Sequence, residues 1–532
     1  MVGLTVGTEG GMIASTDRLA RVAMAALLGV TALVYLHRLG DSPVHVSTDE
    51  AKLAAQAHAL ATTGADMRGN RFPLFVLIVD PLLPNEHSVA WWQPALFYTT
   101  AAVYKVAGVS EWTTRLPVVL LSILNVWLAY VVAARWLGSR WLGVSAALVL
   151  ALTPSHFILG REAADYFCPT TVCLVWLLCL GRLMDQPTPG RALITGSVLG
   201  LGLYSYITSW VVMPMYLALT VLACWRLRYS LSLVGRIVMA CAACGVPAVV
   251  FVALHPAMFG EVADHYKVSG ASRTIQRITL FWDYFNPSYL FFAGGSNLQW
   301  STRMAGVFPL SLLIVLPLGL WSALRRRAHV FGSIVALAFL LVPLPIVAAM
   351  PEAPFYATAR AVLAAPLGAL LAAAGFKVLL DHRHAASRAT AVLLVVAMPL
   401  QFARFAVDYF GDYRLRSAPW IDAFNFRGVA DAVVDLDHTH PLPAIYLSHD
   451  DIGEDKSVKF RFHLMTSGRM DLWDRARYLA PEQQSGPFEP GTVLVVRAAN
   501  PRLDTLIGQG WVRAATVADA NGTPVVVLLR KS

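Results

Sequence analysis

The sequence predicts a polytopic α-helical membrane protein with a C-terminal extracytoplasmic α/β domain. Three observations predict it. Hydrophobic residues make up 57% of the 532-residue chain and charged residues only 14%, where a soluble protein of this length carries about a quarter charged residues. Long runs free of Asp, Glu, Lys and Arg recur at lengths that suit spanning helices, which need about 20 apolar residues each. After about residue 410 the composition turns polar and short β-type runs appear. Disordered, collagenous and disulfide-scaffold classes are excluded. The net charge of +9 fits loops facing anionic lipid and gives no reason to expect nucleic acid.

In order along the chain, the first span covers 19–36. A cleaved signal is the alternative there, but no small-residue cleavage site follows, so the helix is retained. An external segment, 37–114, comes next. Within it 49–64 reads as a helix with Thr48 as N-cap and acids in its first turn, and 91–108 as a helix lying along the interface. Spans follow at 115–134, 141–159, 167–183, 191–207, 209–225 and 235–254. The uncharged stretch 192–225 is too long for one helix and divides at the polar, aromatic Ser205-Tyr-Ile-Thr-Ser-Trp210. A second external segment, 255–304, precedes spans at 305–324, 329–349, 360–380 and 389–407, about eleven in all. The chain thus divides into a membrane domain, 1–408, and a tail domain, 409–532. In the tail, 444–447, 492–496 and 524–529 read as strands and 426–436 as a helix.

Sidedness follows from the short basic loops. With Arg18 and Arg21 inside, the loops 135–140, 185–191, 226–236, 325–327 and 381–388 all fall in the cytoplasm. An odd span count puts the tail outside. The expected location is the plasma (inner) membrane, N-terminus cytoplasmic and C-terminal domain extracytoplasmic. All six cysteines lie in or beside apolar runs, and the Cys241-x-x-Cys244 pair sits in a lipid-embedded helix, so they read as core residues.

The large segments face outward, and the chemistry should be there. Asp49 and Glu50 open an external helix. They are either an acidic pair stabilised by the helix dipole or a general base poised at the membrane surface. The cluster Gly160-Arg-Glu-Ala-Ala-Asp165 lies in the turn between the third and fourth spans, where charges are costly unless paired or functional. Its bland reading is an Arg161–Asp165 pair four residues apart. Lys52, Arg68, Arg71, Arg115 and Arg360 are isolated external cations. Arg360 either snorkels to headgroups or holds a phosphate, for which a guanidinium fork is suited. His255 stands near Glu261, Asp264 and His265, with no metal-ligand spacing, so no metal site is expected. No nucleotide-binding glycine motif occurs.

The stretch Asp49-Glu50-Ala51, Thr63-Gly64-Ala-Asp66, Gly69-Asn-Arg-Phe-Pro73-Leu-Phe75, Trp92-Gln-Pro94-Ala-Leu96 and Arg115-Leu-Pro117 resembles the first external loop of GT-C glycosyltransferases. These are the family 39-like, polyprenyl-phosphate-sugar-dependent enzymes related to protein O-mannosyltransferases and lipid A aminoarabinose transferases. The resemblance covers about 40–170 and returns at Ala359-Arg360 to Pro366. It implies a GT-C fold, with Asp49 as the base of an inverting transfer, Glu50 beside it positioning a substrate, and Asp165 as a second acid. Many relatives carry a further basic residue where this chain has Ala164. Arg161, Arg360, Lys52, Arg115 and His255 form the candidate set for donor phosphate and substrate. The implied partners are a polyprenyl-phosphate sugar, membrane lipid, and an acceptor that is an envelope glycan, a lipid or a protein. No cofactor is expected, and a divalent metal is not favoured. The alternative is a transporter or flippase of a lipid-linked saccharide, which the near absence of mid-span charges disfavours.

Overall fold

The computed structural model describes residues 6–78, 82, 90–265, 274–325, 330–349, 358–452, 456–479 and 487–532. A long apolar helix, α1 (Val6–Leu36), leads through a short loop into α2 (Thr48–Thr63). An antiparallel pair, β1 (Val76–Ile78) and β2 (Ala90–Trp92), precedes α3 (Pro94–Ala107), the predicted interfacial helix. The bundle continues with α4 (Glu111–Leu137), α5 (Arg140–Ala151), α6 (Pro154–Leu159), α7 (Cys168–Asp185), α8 (Pro189–Gly202), α9 (Ser209–Arg226) and α10 (Leu231–Leu254). Two short helices, α11 (Met258–His265) and α12 (Thr274–Asp283), occupy the second external segment. Then come α13 (Leu312–Arg325), α14 (Val330–Leu340), α15 (Leu344–Ala349), α16 (Ala364–Asp381) and α17 (Ala385–Phe410).

Eight helices among the described residues are long and apolar enough to cross a membrane. The remaining three predicted spans fall on shorter helices. α5 has 12 residues and is broken at Leu152-Thr153 before α6, while α8 and α13 have 14 each. At 1.5 Å per residue such a helix reaches about 20 Å, short of the hydrocarbon core. The short helices hold their places through close packing on long partners. In α8, a Cβ on Gly196 would strike the Ile237 carbonyl and one on Gly200 the Cys241 carbonyl, both in α10. Gly319 of α13 and Gly375 of α16 face the carbonyls of Leu371 and Val315 reciprocally. Small residues at such positions let backbones approach where no hydrophobic effect drives association.

The start of α2 differs by one residue from the expectation. Ser47, not Thr48, is the N-cap: its hydroxyl accepts from Glu50 N at 3.2 Å, and the Glu50 carboxylate accepts from Ser47 N at 3.0 Å. This reciprocal pair is a capping box, and it outcompetes the Thr48 hydroxyl because it satisfies two orphan donors together.

The tail begins with α18 (Asp412–Ile421) and α19 (Phe426–Thr439). Its sheet combines β3 (Ile445–Ser448), β4 (Ala476–Leu479), β5 (Val493–Arg497), β6 (Trp511–Ala518) and β7 (Pro524–Lys531) in the order β4-β3-β5-β7-β6. The first three are mutually parallel and β7 and β6 antiparallel. Sequence reading missed β4 and β6. β6 is largely exposed and β4 is only four residues long, so neither carries a strong apolar run. Among the described residues three helices lie between the parallel strands β3 and β4, α20 (His449–Ile452), α21 (Ser457–Thr466) and α22 (Met470–Trp473). α21 lies on α2, with Val458, Phe462 and Met465 sharing a buried cluster with Ala51, Ala54 and Leu60.

Candidate active site

Both carboxylates of the acidic pair lie in the first turn of α2, whose N-terminal dipole favours negative charge there, yet their surroundings differ. Glu50 is fully buried and takes Arg115 Nε at 2.7 Å on one oxygen and Nη2 at 3.1 Å on the other. It also accepts the backbone N–H of Ala163 at 3.1 Å. The other Arg115 bonds go to the carbonyls of Leu39, Pro43 and His45. Arg115 is 1% exposed, and its terminal nitrogens are all spoken for by protein oxygens. Arg161 is equally buried. Its two terminal nitrogens reach the carbonyls of Tyr35 in the last turn of α1 and of His37 and Ser42 just past it, and its guanidinium lies 5.2 Å from the Phe157 ring centre and 5.6 Å from that of Tyr409. A guanidinium at a helix C-terminus satisfies orphan carbonyls and complements the dipole. The segment from Gly160 to Ala164 is not helical, so the Arg161–Asp165 pair four residues apart does not form. Both arginines are thus occupied in holding the first external loop to the bundle, unlike the ligand cations the sequence suggested.

Asp49 is half-buried and, among the described residues, its carboxylate has no hydrogen-bond or ion-pair partner. Lys52 lies three residues further along α2, buried, on the same face. Asp165 is buried and accepts the backbone N–H groups of Tyr166 and Gln93, and the Asp49 charge acts on it. The clearest sign of convergence is Tyr206, in the turn between α8 and α9. Burial pushes its hydroxyl above its ordinary value, and the charges that act on it are those of Arg360, Asp165 and Asp49. Four segments far apart in sequence come together here, since Ala51, Ala164, Tyr206 and Ala359 share one buried cluster. Arg360 sits half-buried in the turn before α16; residues 350–357 of the segment preceding it lie outside the described residues. His255 is not part of this group. It is exposed at the end of α10, its ring stacked on Phe251 at 4.1 Å and edge-on to Trp91 at 5.6 Å. The side chains of Asp264 and His265 lie outside the described residues, and among the described residues no cluster of His, Cys, Asp and Glu could hold a metal ion.

Two residues were missed as candidates. Glu162, within the quoted cluster, is buried and accepts from the Tyr166 hydroxyl at 2.5 Å, from the Gln299 amide, and from the Trp300 indole at 3.1 Å. It thereby fastens the second external segment to the site. Burial, together with the Glu50 and Asp49 charges, pushes its carboxyl up to about 7 against the pull of the Tyr166 and Gln299 bonds. Gln93 is 1% exposed, and among the described residues neither its side-chain oxygen nor its nitrogen has a partner. A buried amide without partners is uncommon and calls for an explanation such as a ligand. Its signal in the sequence was a Gln directly before Pro94 at a helix start, where its side chain makes no cap bond.

A multi-pass helical bundle with a docked α/β tail fits the GT-C fold, and the chain resembles protein O-mannosyltransferases and lipid A aminoarabinose transferases. The family described as dolichyl-phosphate-mannose-protein mannosyltransferase matches residues 88–252. Among solved structures, ArnT from Cupriavidus metallidurans bound to undecaprenyl phosphate superposes with a TM-score of 0.61 at 14% identity, over 95% of this chain and 97% of that one. ArnT in the apo state gives 0.57 at 14% identity, over 97% and 98%. The archaeal oligosaccharyltransferase AglB from Archaeoglobus fulgidus gives 0.47 at 13% identity, over 83% and 63%. No curated protein matches by sequence.

Proposed function

We propose that the protein is an integral membrane glycosyltransferase that moves a sugar, with inversion, from a polyprenyl-phosphate donor to an acceptor hydroxyl on the extracytoplasmic face of the inner membrane. The observation that carries this reading is the packing of the segments of Asp49, Asp165 and Arg360 around Tyr206, with Asp49 a carboxylate that no other described residue claims. The polyprenyl phosphate bound to the structurally similar ArnT supports the donor class.

In the reaction the acceptor oxygen attacks the anomeric carbon as its proton passes to Asp49. The bond from that carbon to the phosphate oxygen breaks, and the polyprenyl phosphate leaves with its electron pair. A phosphate leaving group needs no acid; it needs cations, which Arg360 and Lys52 supply. Gln93 would hydrogen-bond the donor, and Asp165, held by backbone N–H groups, would orient the sugar. A single displacement inverts the centre, by the geometry that governs one-step glycosidases. Glu50, Arg115 and Arg161 act as positioning residues. The reading includes no divalent metal, since protein cations neutralise the departing phosphate.

The test uses membranes containing the full chain, chelator present, with a polyprenyl-phosphate sugar and an acceptor pool. Wild type should transfer sugar and give a product of inverted anomeric configuration, and Asp49→Asn should lose about 10²–10⁴-fold in rate. Full activity in Asp49→Asn, or retained configuration, overturns the base assignment; dependence on added metal overturns the metal-free reading.

A further inference from the structure

We infer that the cleft between the basic-side ends of α4, α7 and α14 binds the headgroup of an anionic glycerophospholipid in the cytoplasmic leaflet. The cleft encloses about 190 Å³ and lies at the opposite end of the bundle from Asp49, between Arg135, Trp136, Gly181, Asp185, Leu227 and Phe331. Its rim is positively charged in excess. Arg135 pairs with Asp185, and the charges of Arg182 and Arg191 both act on Arg135. The Arg182 side chain is exposed and, among the described residues, has no acceptor. Arg191 donates to the carbonyls of Arg182 at 2.7 Å and Gln186 at 3.4 Å, and among the described residues it pairs with no carboxylate. The cleft is thus lined by the Arg135–Asp185 pair, with two further guanidinium charges acting on Arg135 from beside it.

Beneath that rim the walls are apolar, formed by Val132, Leu177 and Val330, with the Trp136 and Phe331 rings 5.8 Å apart. Gly181 keeps the space open: a Cβ there would meet the Phe331 ring at 3.4 Å and the Arg135 side chain at 3.6 Å. Cations over an apolar slot between helices on the basic side suit a phosphodiester with acyl chains below it. A free phosphate would leave the apolar walls unused. The leaflet assignment rests on the orientation that places the basic loops in the cytoplasm. The site itself is independent of the glycosyl transfer reading, and loss of transfer activity would leave it standing.

The test uses the delipidated full-length protein in neutral detergent, titrated with phosphatidylglycerol or with phosphatidylcholine of identical chains. Lipid retention is read by native mass spectrometry, and the unfolding temperature in parallel. Phosphatidylglycerol should be retained at one lipid per protein and raise the unfolding temperature, and phosphatidylcholine should do neither. The double variant Arg182→Gln, Arg191→Gln, changed at the rim only, should weaken retention by about tenfold or more without lowering the lipid-free unfolding temperature. Gly181→Leu, with every charge intact, should abolish retention by filling the slot. Equal retention of the two lipids, or undiminished retention of phosphatidylglycerol in the rim variant, overturns the proposal.

Discussion

At the N-terminus of α2 two adjacent carboxylates do different work because their side chains point to different neighbours. Glu50 closes a capping box and grips Arg115, while the Asp49 charge acts on Asp165 and Tyr206 and its carboxylate has no hydrogen-bond or ion-pair partner among the described residues. Gln93 extends the same logic, since its buried side-chain amide has no hydrogen-bond partner among the described residues. Gln93→Leu should leave the unfolding temperature of the ligand-free protein unchanged or raise it, by about 1 kcal/mol of relieved desolvation. The same variant should raise the KM for the lipid-linked donor about tenfold, the worth of one hydrogen bond of about 1.4 kcal/mol; steady-state kinetics beside thermal unfolding checks both. Glu162 carries a pH prediction. In the folded protein its carboxyl stays protonated up to about 7, while in the unfolded chain it ionises near the ordinary 4.5. The fold therefore binds the extra proton between these values, and stability falls as pH rises through that window, then levels above it. Glu162→Gln removes this slope, so the wild-type unfolding temperature should decline relative to the variant from pH 4.5 to 7 and run parallel to it above.

Helices shorter than the membrane are tolerated here because they are paired at glycines. Gly375 of α16 is the sharpest case, since a Cβ there lands on the Val315 carbonyl of α13 and the backbone cannot step aside without moving Gly319 as well. Gly375→Ala should cost about 1–3 kcal/mol and lower the unfolding temperature in detergent, whereas Gly235→Ala, in open space on α10, should not. The small-residue positions were visible in the sequence, but their partners were not: α13 meets α16 across α14 and α15 in the chain, and hydropathy is blind to which spans touch. The same limit explains why the eleven apolar runs could be found while the lengths of their helices could not. A break such as Leu152-Thr153 depends on where Pro154 starts a new turn and on the packing that accommodates it.

Across the whole molecule the tail domain is fastened to the first external loop. His45 meets Asp519 at 3.2 Å, with both side chains 3% exposed, Glu111 meets Arg427 at 2.8 Å, and Arg461 reaches the Met67 sulfur at 3.6 Å. Because α21 lies on α2, these contacts brace the helix that carries Asp49. Asp519→Ala leaves His45 buried without its partner, at a cost of about 1–3 kcal/mol, and should speed limited proteolysis between α17 and α19 while the membrane domain stays folded. Rates of cleavage unchanged from wild type would mean that the tail is held without the His45–Asp519 pair, by its remaining contacts.

The sequence by itself determined the membrane class, the apolar runs, the acidic opening of α2 and the polar tail, because each is an average or a pattern over neighbouring residues and survives without knowledge of what they touch. Only the tertiary structure decided which charges are spent on the frame and which are left over. Arg115 and Glu50 are 65 positions apart, Arg161 reaches back about 125 to the end of α1, and the charges of Arg360 and Asp49, more than three hundred positions apart, both act on Tyr206. A charge is cheap in a sequence and costly in a buried site, so its role is fixed by the partner that packing brings to it.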